Sequence, residues 1–120
     1  MGIDSGESQR KRVPIFEDLV EGTMQAAAEA GAANEQRALS YLVSSYPAIY
    51  EKAAEAYGRK FLATELEVRP FGLSDDRKLM DVIFSFTNYE TNVTEKYCAR
   101  VDITGELPTL VTELSEYPDR

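Results

Sequence analysis

A chain of 120 residues with 43% hydrophobic and 28% charged residues is long and apolar enough to form one domain with a modest core. Its formal net charge of −8 argues against nucleic-acid binding, because binding to phosphates requires a surplus of basic side chains. Histidine is absent and Cys98 is the single cysteine, which excludes a Ser-His-Asp triad, a Cys-His pair and a multi-cysteine zinc site.

Nothing in the sequence indicates export or membrane insertion. No apolar stretch approaches the roughly 20 residues of a membrane span, and the N-terminus lacks the apolar segment of a signal peptide. We therefore expect a cytoplasmic protein without a cofactor or a metal. Residues 1–12 are polar and are expected to form a disordered arm ahead of a single domain, residues 13–120.

Three amphipathic helices are predicted in the first half of the chain. Pro14 suits a first helical position, and Gly31 should end the first helix. Asn34 is expected to cap the second helix, which ends at Tyr46-Pro47, and a third helix should then run to about Phe61. The residues expected to face the core are Ile15, Phe16, Leu19, Val20 and Met24, then Ala38, Leu39, Leu42, Val43 and Tyr46, then Ile49, Tyr50, Ala53, Ala54, Tyr57 and Phe61.

The hydrophobic period changes from 3.6 to 2 after the helices, which predicts strands. ELEVRPF, KLMDVIFSFTN and the segment that begins at Val93 indicate three antiparallel strands, with NYETN as the turn of a hairpin. The segment TGELPTLVTELSEYPDR is expected to form a short helix or a turn, although helix and strand are hard to separate there. The predicted fold class is α+β, with two or three helices packed on one face of a three-stranded antiparallel sheet.

The register of the predicted hairpin gathers polar side chains on the face of the sheet opposite the helices. Residue types alone favour cross-strand charge pairing on a hydrated surface. The alternative is a peptide-docking surface, which would use this face or an unpaired sheet edge. Leu79 and Ile83 lie on the same face and should need cover. The candidate partner-binding residues are Arg69, Asp81, Lys96, Arg100 and Asp102, and their expected neighbours are Glu65, Glu67, Ser85 and Cys98.

Two further features are weaker candidates for chemistry. Asp75-Asp76 could suggest a cation site, but adjacent acids in a loop are more often solvated, and a calcium loop needs ligands at several set positions. Cys98, which lies beside Lys96 and Arg100 on its strand, could have a lowered thiol pKa. A structural or incidental role is favoured for this cysteine, because no resolving partner or histidine accompanies it.

Several long and unusual segments carry a family resemblance: SYPAIY, DVIFSFTN, VTEKY, RVDITGELP and the terminal YPDR. The region from about Arg37 to Arg120 resembles the C-terminal domain of the cyanobactin maturation proteases PatA and PatG. The resemblance implies a domain that is separate from the subtilisin-like protease and has no assigned catalytic role. No catalytic residue is carried over, and the helical segment before Arg37 is expected to lie outside the resembling region.

Three hypotheses follow for the function. The leading one is a non-catalytic accessory protein in the biosynthesis of ribosomally made, modified peptides, which binds a precursor peptide or a tailoring enzyme through the sheet edge, the outer face or residues 14–28. The second is a small enzyme that uses Asp81 and Asp102 with Lys96 or Arg100, and it requires these groups to converge in a pocket. The third is a structural homodimer that seals Leu79 and Ile83.

Overall fold

The computed structural model describes residues 13–73 and 76–117, in which three helices precede four strands. The arm predicted for residues 1–12 lies outside the described residues, and so does Asp75 of the weak cation candidate. The helices are α1 (Pro14–Ala30), α2 (Ala33–Ser45) and α3 (Ala48–Gly58), and the strands are β1 (Phe61–Leu73), β2 (Lys78–Asn88), β3 (Thr94–Asp102) and β4 (Thr109–Glu116).

The four strands form one antiparallel sheet in the order β1-β2-β3-β4. The predicted α+β class is confirmed, and the predicted number of strands was wrong, because the last segment forms β4. Its apolar residues fall at helical spacing: Leu107, Leu110, Val111 and Leu114. Two register shifts against β3, on either side of Arg100, break the alternation that would have indicated a strand.

The helices cover one face of the sheet and enclose the core. Phe16 of α1 is buried at its centre, with ring centroids 5.7 Å from Tyr50, 5.8 Å from Phe84 and 6.3 Å from Phe86. These aromatic contacts join α1, α3 and β2, which is the long apolar strand that the sequence predicts. The inward residues of β2 are Met80, Val82, Phe84 and Phe86, and all four are buried.

The helix boundaries agree with the prediction where glycine and proline set them. Gly31 has a left-handed φ of 70° and ends α1, and Pro47 immediately precedes α3. Asn34 was wrongly predicted as the cap of α2, because this helix begins at Ala33. The chain leaves α3 through Lys60, whose φ of 74° is also left-handed.

Three residues that were predicted to face the core from helices, Ile15, Tyr57 and Phe61, are placed differently in the structure. Ile15 and Tyr57 are about half exposed, because each lies at an end of its helix where the apolar face no longer meets the sheet. Phe61 is buried, but it is the first residue of β1, since α3 ends three positions earlier. The periodicity therefore located the core face correctly in the helix interiors and less well at the ends.

Helix α2 and the residue that follows it hold β4 and the loop before it. The guanidinium of Arg37 donates to the carbonyl oxygens of Ile103 at 2.7 Å, Gly105 at 2.6 Å and Glu106 at 2.9 Å, in the loop between β3 and β4. The amide of Leu114 donates to the hydroxyl of Tyr46 at 2.9 Å. The Tyr46 hydroxyl thereby satisfies a backbone amide of β4.

Candidate functional site

The strand register brings the predicted polar residues together on the face opposite the helices, which we call the outer face. Arg69, Asp81 and Arg100 form one row across β1, β2 and β3, because Asp81 pairs directly with both arginines. Asp102 pairs with Leu79 beside this row. Lys96 pairs with Ser85, four positions along β3 and therefore roughly 13 Å from Arg100. Three of the five candidate residues thus form one row, Asp102 lies two positions beyond Arg100 on β3, and Lys96 is farther away on the same strand.

The centre of the outer face is an ion pair between Asp81 and Arg100. Arg100 Nε lies 2.7 Å from Asp81 Oδ1, and Arg100 Nη2 lies 3.3 Å from Asp81 Oδ2. The two side chains are only 9% and 28% exposed. The ring centroid of Phe71 is 3.4 Å from the guanidinium carbon, and the hydrogen bond that Arg100 donates to Asp81 raises the pKa of Arg100. Asp81 is therefore already satisfied within the chain.

A second contact connects opposite sides of the outer face. Arg69 Nη2 donates to the hydroxyl of Tyr117 at 2.8 Å, while the Tyr117 amide donates to the carbonyl of Lys96 on β3. This hydrogen bond to Tyr117 is the main cause of the raised pKa of Arg69. The side chains of Arg69 on β1 and of Tyr117 after β4 therefore meet across the outer face, above β2 and β3.

The outer face is covered by its own side chains. Ile83 is only 3% exposed, although the helices lie on the other face of the sheet and its direct cross-strand neighbours are Glu67 and Cys98. Ser85 and Asp81 on the same face are also buried. Ile83 therefore needs no second copy of the chain to leave water, whereas Leu79, the other residue on which the homodimer hypothesis depends, is only partly buried.

Asp102 belongs to a separate arrangement at the end of β3. Its Oδ2 lies 3.1 Å from Arg77 Nη2, and its Oδ1 accepts hydrogen bonds from both the hydroxyl and the amide of Thr104. The hydroxyl of Thr104 is the largest cause of the lowered pKa of Asp102. Asp81 and Asp102 are held by different cations, which does not favour the hypothesis of a carboxylate enzyme.

The pKa of the Cys98 thiol is shifted in the opposite direction to the one that its basic neighbours suggested. Burial, followed by the charge of Asp81, raises the pKa of the Cys98 thiol to about 11. The suggestion of a lowered pKa was wrong, because Arg100 is committed to Asp81 and the thiol is half-buried. Within residues 13–73 and 76–117, no group of three or more His, Cys, Asp or Glu side chains is arranged to hold a metal ion.

A second ionic cluster joins the end of α3 to β3. Arg59 donates to Glu55 at 2.6 Å and to Glu95 at 3.0 Å, and the Tyr97 hydroxyl also donates to Glu95. The hydrogen bonds from Arg59 are the largest cause of the lowered pKa of both glutamates. This cluster fixes the end of the helical layer to the sheet.

The edge segment formed by residues 106–116 was missed as a candidate site, because it was not predicted as a strand. It contains Glu106, Glu113 and Glu116 and no lysine or arginine. Two of its apolar side chains are unusually exposed, Leu107 at 82% and Val111 at 44%. The sequence feature that could have identified this segment as an edge strand is its combination of acidic residues with valine, threonine and leucine.

The fold and the outer face define a small α+β protein in which helices cover one face of an antiparallel sheet and a largely buried ion pair lies at the centre of the other. Among the described residues, no helix combines the length and the hydropathy that a membrane span requires. The chain belongs to the family described as PatG C-terminal, whose model matches residues 6–117. Comparisons with curated proteins and with solved structures gave no match.

The family match confirms the resemblance and extends it. It begins at residue 6, so α1 lies inside the matched region and not outside it as the sequence analysis expected. The family links the chain to the maturation machinery of cyanobactins and related ribosomally made peptides. It describes a C-terminal region and not the catalytic part of a protease.

Proposed function

We propose that this protein is a non-catalytic, cytoplasmic accessory protein in the biosynthesis of ribosomally made, post-translationally modified peptides. It binds a precursor peptide or a tailoring enzyme of the pathway. The observation that carries this proposal is the family match over residues 6–117. The separate engagement of Asp81 and Asp102 in structural ion pairs supports a role in binding and not in catalysis.

The geometry ranks the three surfaces that the sequence left open. The apolar face of α1 is in the core, where Phe16 and Val20 are buried. The polar groups at the centre of the outer face are engaged within the chain, because Asp81 pairs with Arg100 and Arg69 donates to Tyr117. We therefore favour the sheet edge at β4 as the binding surface, because this strand ends the sheet in the order β1-β2-β3-β4.

Isothermal titration of the purified protein tests the proposal. The ligands are the precursor peptide and each tailoring enzyme encoded beside its gene, with a scrambled precursor of identical composition as the control. We expect saturable binding to at least one natural ligand and none to the scrambled peptide. A lack of saturable binding to every one of them would contradict the proposed function.

A further inference from the structure

Strand β4 differs from the other edge strand, β1, in how it is covered. Helices α1, α2 and α3 all contact β1, whereas β4 packs chiefly against β3. β1 also carries Pro70, which has no amide to donate, and register shifts on its β2 side at Ala63/Glu65 and Pro70/Gly72. These features discourage pairing of another strand with β1, so β4 is the better edge for an incoming segment.

The usable part of the β4 edge is short. The amide of Leu114 already donates to Tyr46, which leaves residues 109–113 ahead of it. Val111 lies at one of the register shifts, between the residues that pair with Val101 and Arg100, and its side chain is exposed. A segment that pairs here would therefore gain an apolar contact as well as backbone hydrogen bonds.

The charge of the edge segment indicates the chemistry of the partner. Glu106, Glu113 and Glu116 lie within eleven residues that include no basic side chain. A second copy of the chain would bring the same three carboxylates to the contact, and like charges across an interface are unfavourable. A segment with lysine or arginine would be attracted instead.

We propose that residues 109–113 of β4 accept an extended, basic peptide segment of the partner by strand addition. Val111 and Leu107 contact apolar side chains of that segment, and Glu106, Glu113 and Glu116 attract its basic ones. This inference rests on the proposed function, because it assigns a surface and a ligand chemistry to the binding proposed above.

The test uses capped synthetic peptides of about ten residues with the full-length protein. The first peptide alternates lysine and valine, the second replaces each lysine by glutamate, and the third repeats the first with three consecutive central amides N-methylated. Fluorescence anisotropy measures binding, and hydrogen exchange measures protection of the amides of residues 109–113. We expect binding of the first peptide alone, with slowed exchange at the β4 edge.

Two matched protein variants distinguish the effect of the charge near β4 from the effect of the net charge of the protein on binding. The triple variant Glu106→Gln, Glu113→Gln, Glu116→Gln should weaken binding of the lysine peptide by about tenfold, because three attractive contacts are lost. The control variant changes the same charge on the exposed helix positions Glu21→Gln, Glu29→Gln and Glu51→Gln and should bind within about twofold of the wild type.

Each other outcome overturns the inference. Equal binding of the N-methylated peptide would show electrostatic association without strand pairing, and equal weakening by both variants would show an effect of net charge alone. If the natural precursor or enzyme still binds the β4 triple variant as it binds the wild type, this surface is refuted and the proposed function stands. Absence of binding to every natural ligand would instead refute the proposed function itself.

Discussion

The ion pair of Asp81 with Arg100 should be a structural element of the sheet, and a double-mutant cycle measures this directly. Asp81→Asn removes the charge while keeping the shape, and it leaves a guanidinium that is 28% exposed. A hydrogen bond to a charged group contributes roughly 1.5–3 kcal/mol, and the partial exposure of Arg100 favours the lower half of that range. We therefore expect a loss of about 2 kcal/mol in the free energy of unfolding.

Urea unfolding followed by far-ultraviolet circular dichroism is the assay. With a urea dependence of about 1.5 kcal/mol per molar, a loss of about 2 kcal/mol lowers the midpoint by about 1.3 M. Arg100→Met should cost at least as much, since it leaves the Asp81 carboxylate, which is only 9% exposed, without its partner and also removes the stacking on Phe71. In the double variant the two losses should not add, and the coupling energy should be about 1–2 kcal/mol.

The pair of Glu67 with Arg69 on the same face is the matched control. Its closest N–O distance is 3.5 Å and its side chains are 47% and 48% exposed, so its coupling energy should be below about 0.5 kcal/mol. An Asp81–Arg100 coupling energy no larger than that of Glu67–Arg69 would refute the view that the outer face is closed by its own ion pairs.

Three further predictions concern single positions. Lys60→Gly should stabilise the protein by about 0.5–1 kcal/mol in urea, because φ is 74°, whereas Lys60→Ala should not. Stability should fall as the pH drops below about 4.5, since Arg59 lowers the pKa of Glu55 and Glu95 in the folded state and the unfolded state therefore binds protons first. Arg59→Gln should reduce the loss between pH 7 and about pH 3, and an unchanged loss would argue against this linkage. At pH 8, iodoacetamide should alkylate Cys98 at least about tenfold more slowly in the folded than in the unfolded protein, because burial raises the pKa of the thiol to about 11 and lowers the thiolate fraction, an effect that the higher nucleophilicity of such a thiolate offsets only in part. Similar rates by mass spectrometry would contradict this prediction.

Local sequence signals were sufficient to predict the helix boundaries and the strand β2. Gly31 and Pro47 mark the helix boundaries, and β2 is recognisable because one of its faces is apolar at every second position from Met80 to Phe86. The register of the hairpin followed from these elements, so the residues of the outer face were placed correctly. β4 was missed because its apolar residues have the spacing of a helix, which the sheet accommodates through two register shifts against β3.

Long-range contacts explain why the interpretation of the outer face changed. The sequence shows Ile83 on a polar face, and it does not show that the face covers itself. Arg69 and Tyr117 are 48 positions apart, and Asp81 and Arg100 are 19 apart. A period of two indicates which residues share a face, but which side chains close over it depends on rotamers and on strands that are distant along the chain.

The position of β4 depends on α2 as well as on the sequence of β4 itself. Most β4 side chains are exposed, so the strand buries little apolar surface, and only Leu110 and Leu114 pack against the core. Arg37 holds the preceding loop through three carbonyl oxygens, and Tyr46 accepts the amide of Leu114. A partner that pairs with β4 would therefore meet an edge whose position is set by a helix more than sixty residues earlier. A peptide with the β4 sequence alone lacks those contacts and should not reproduce the binding surface.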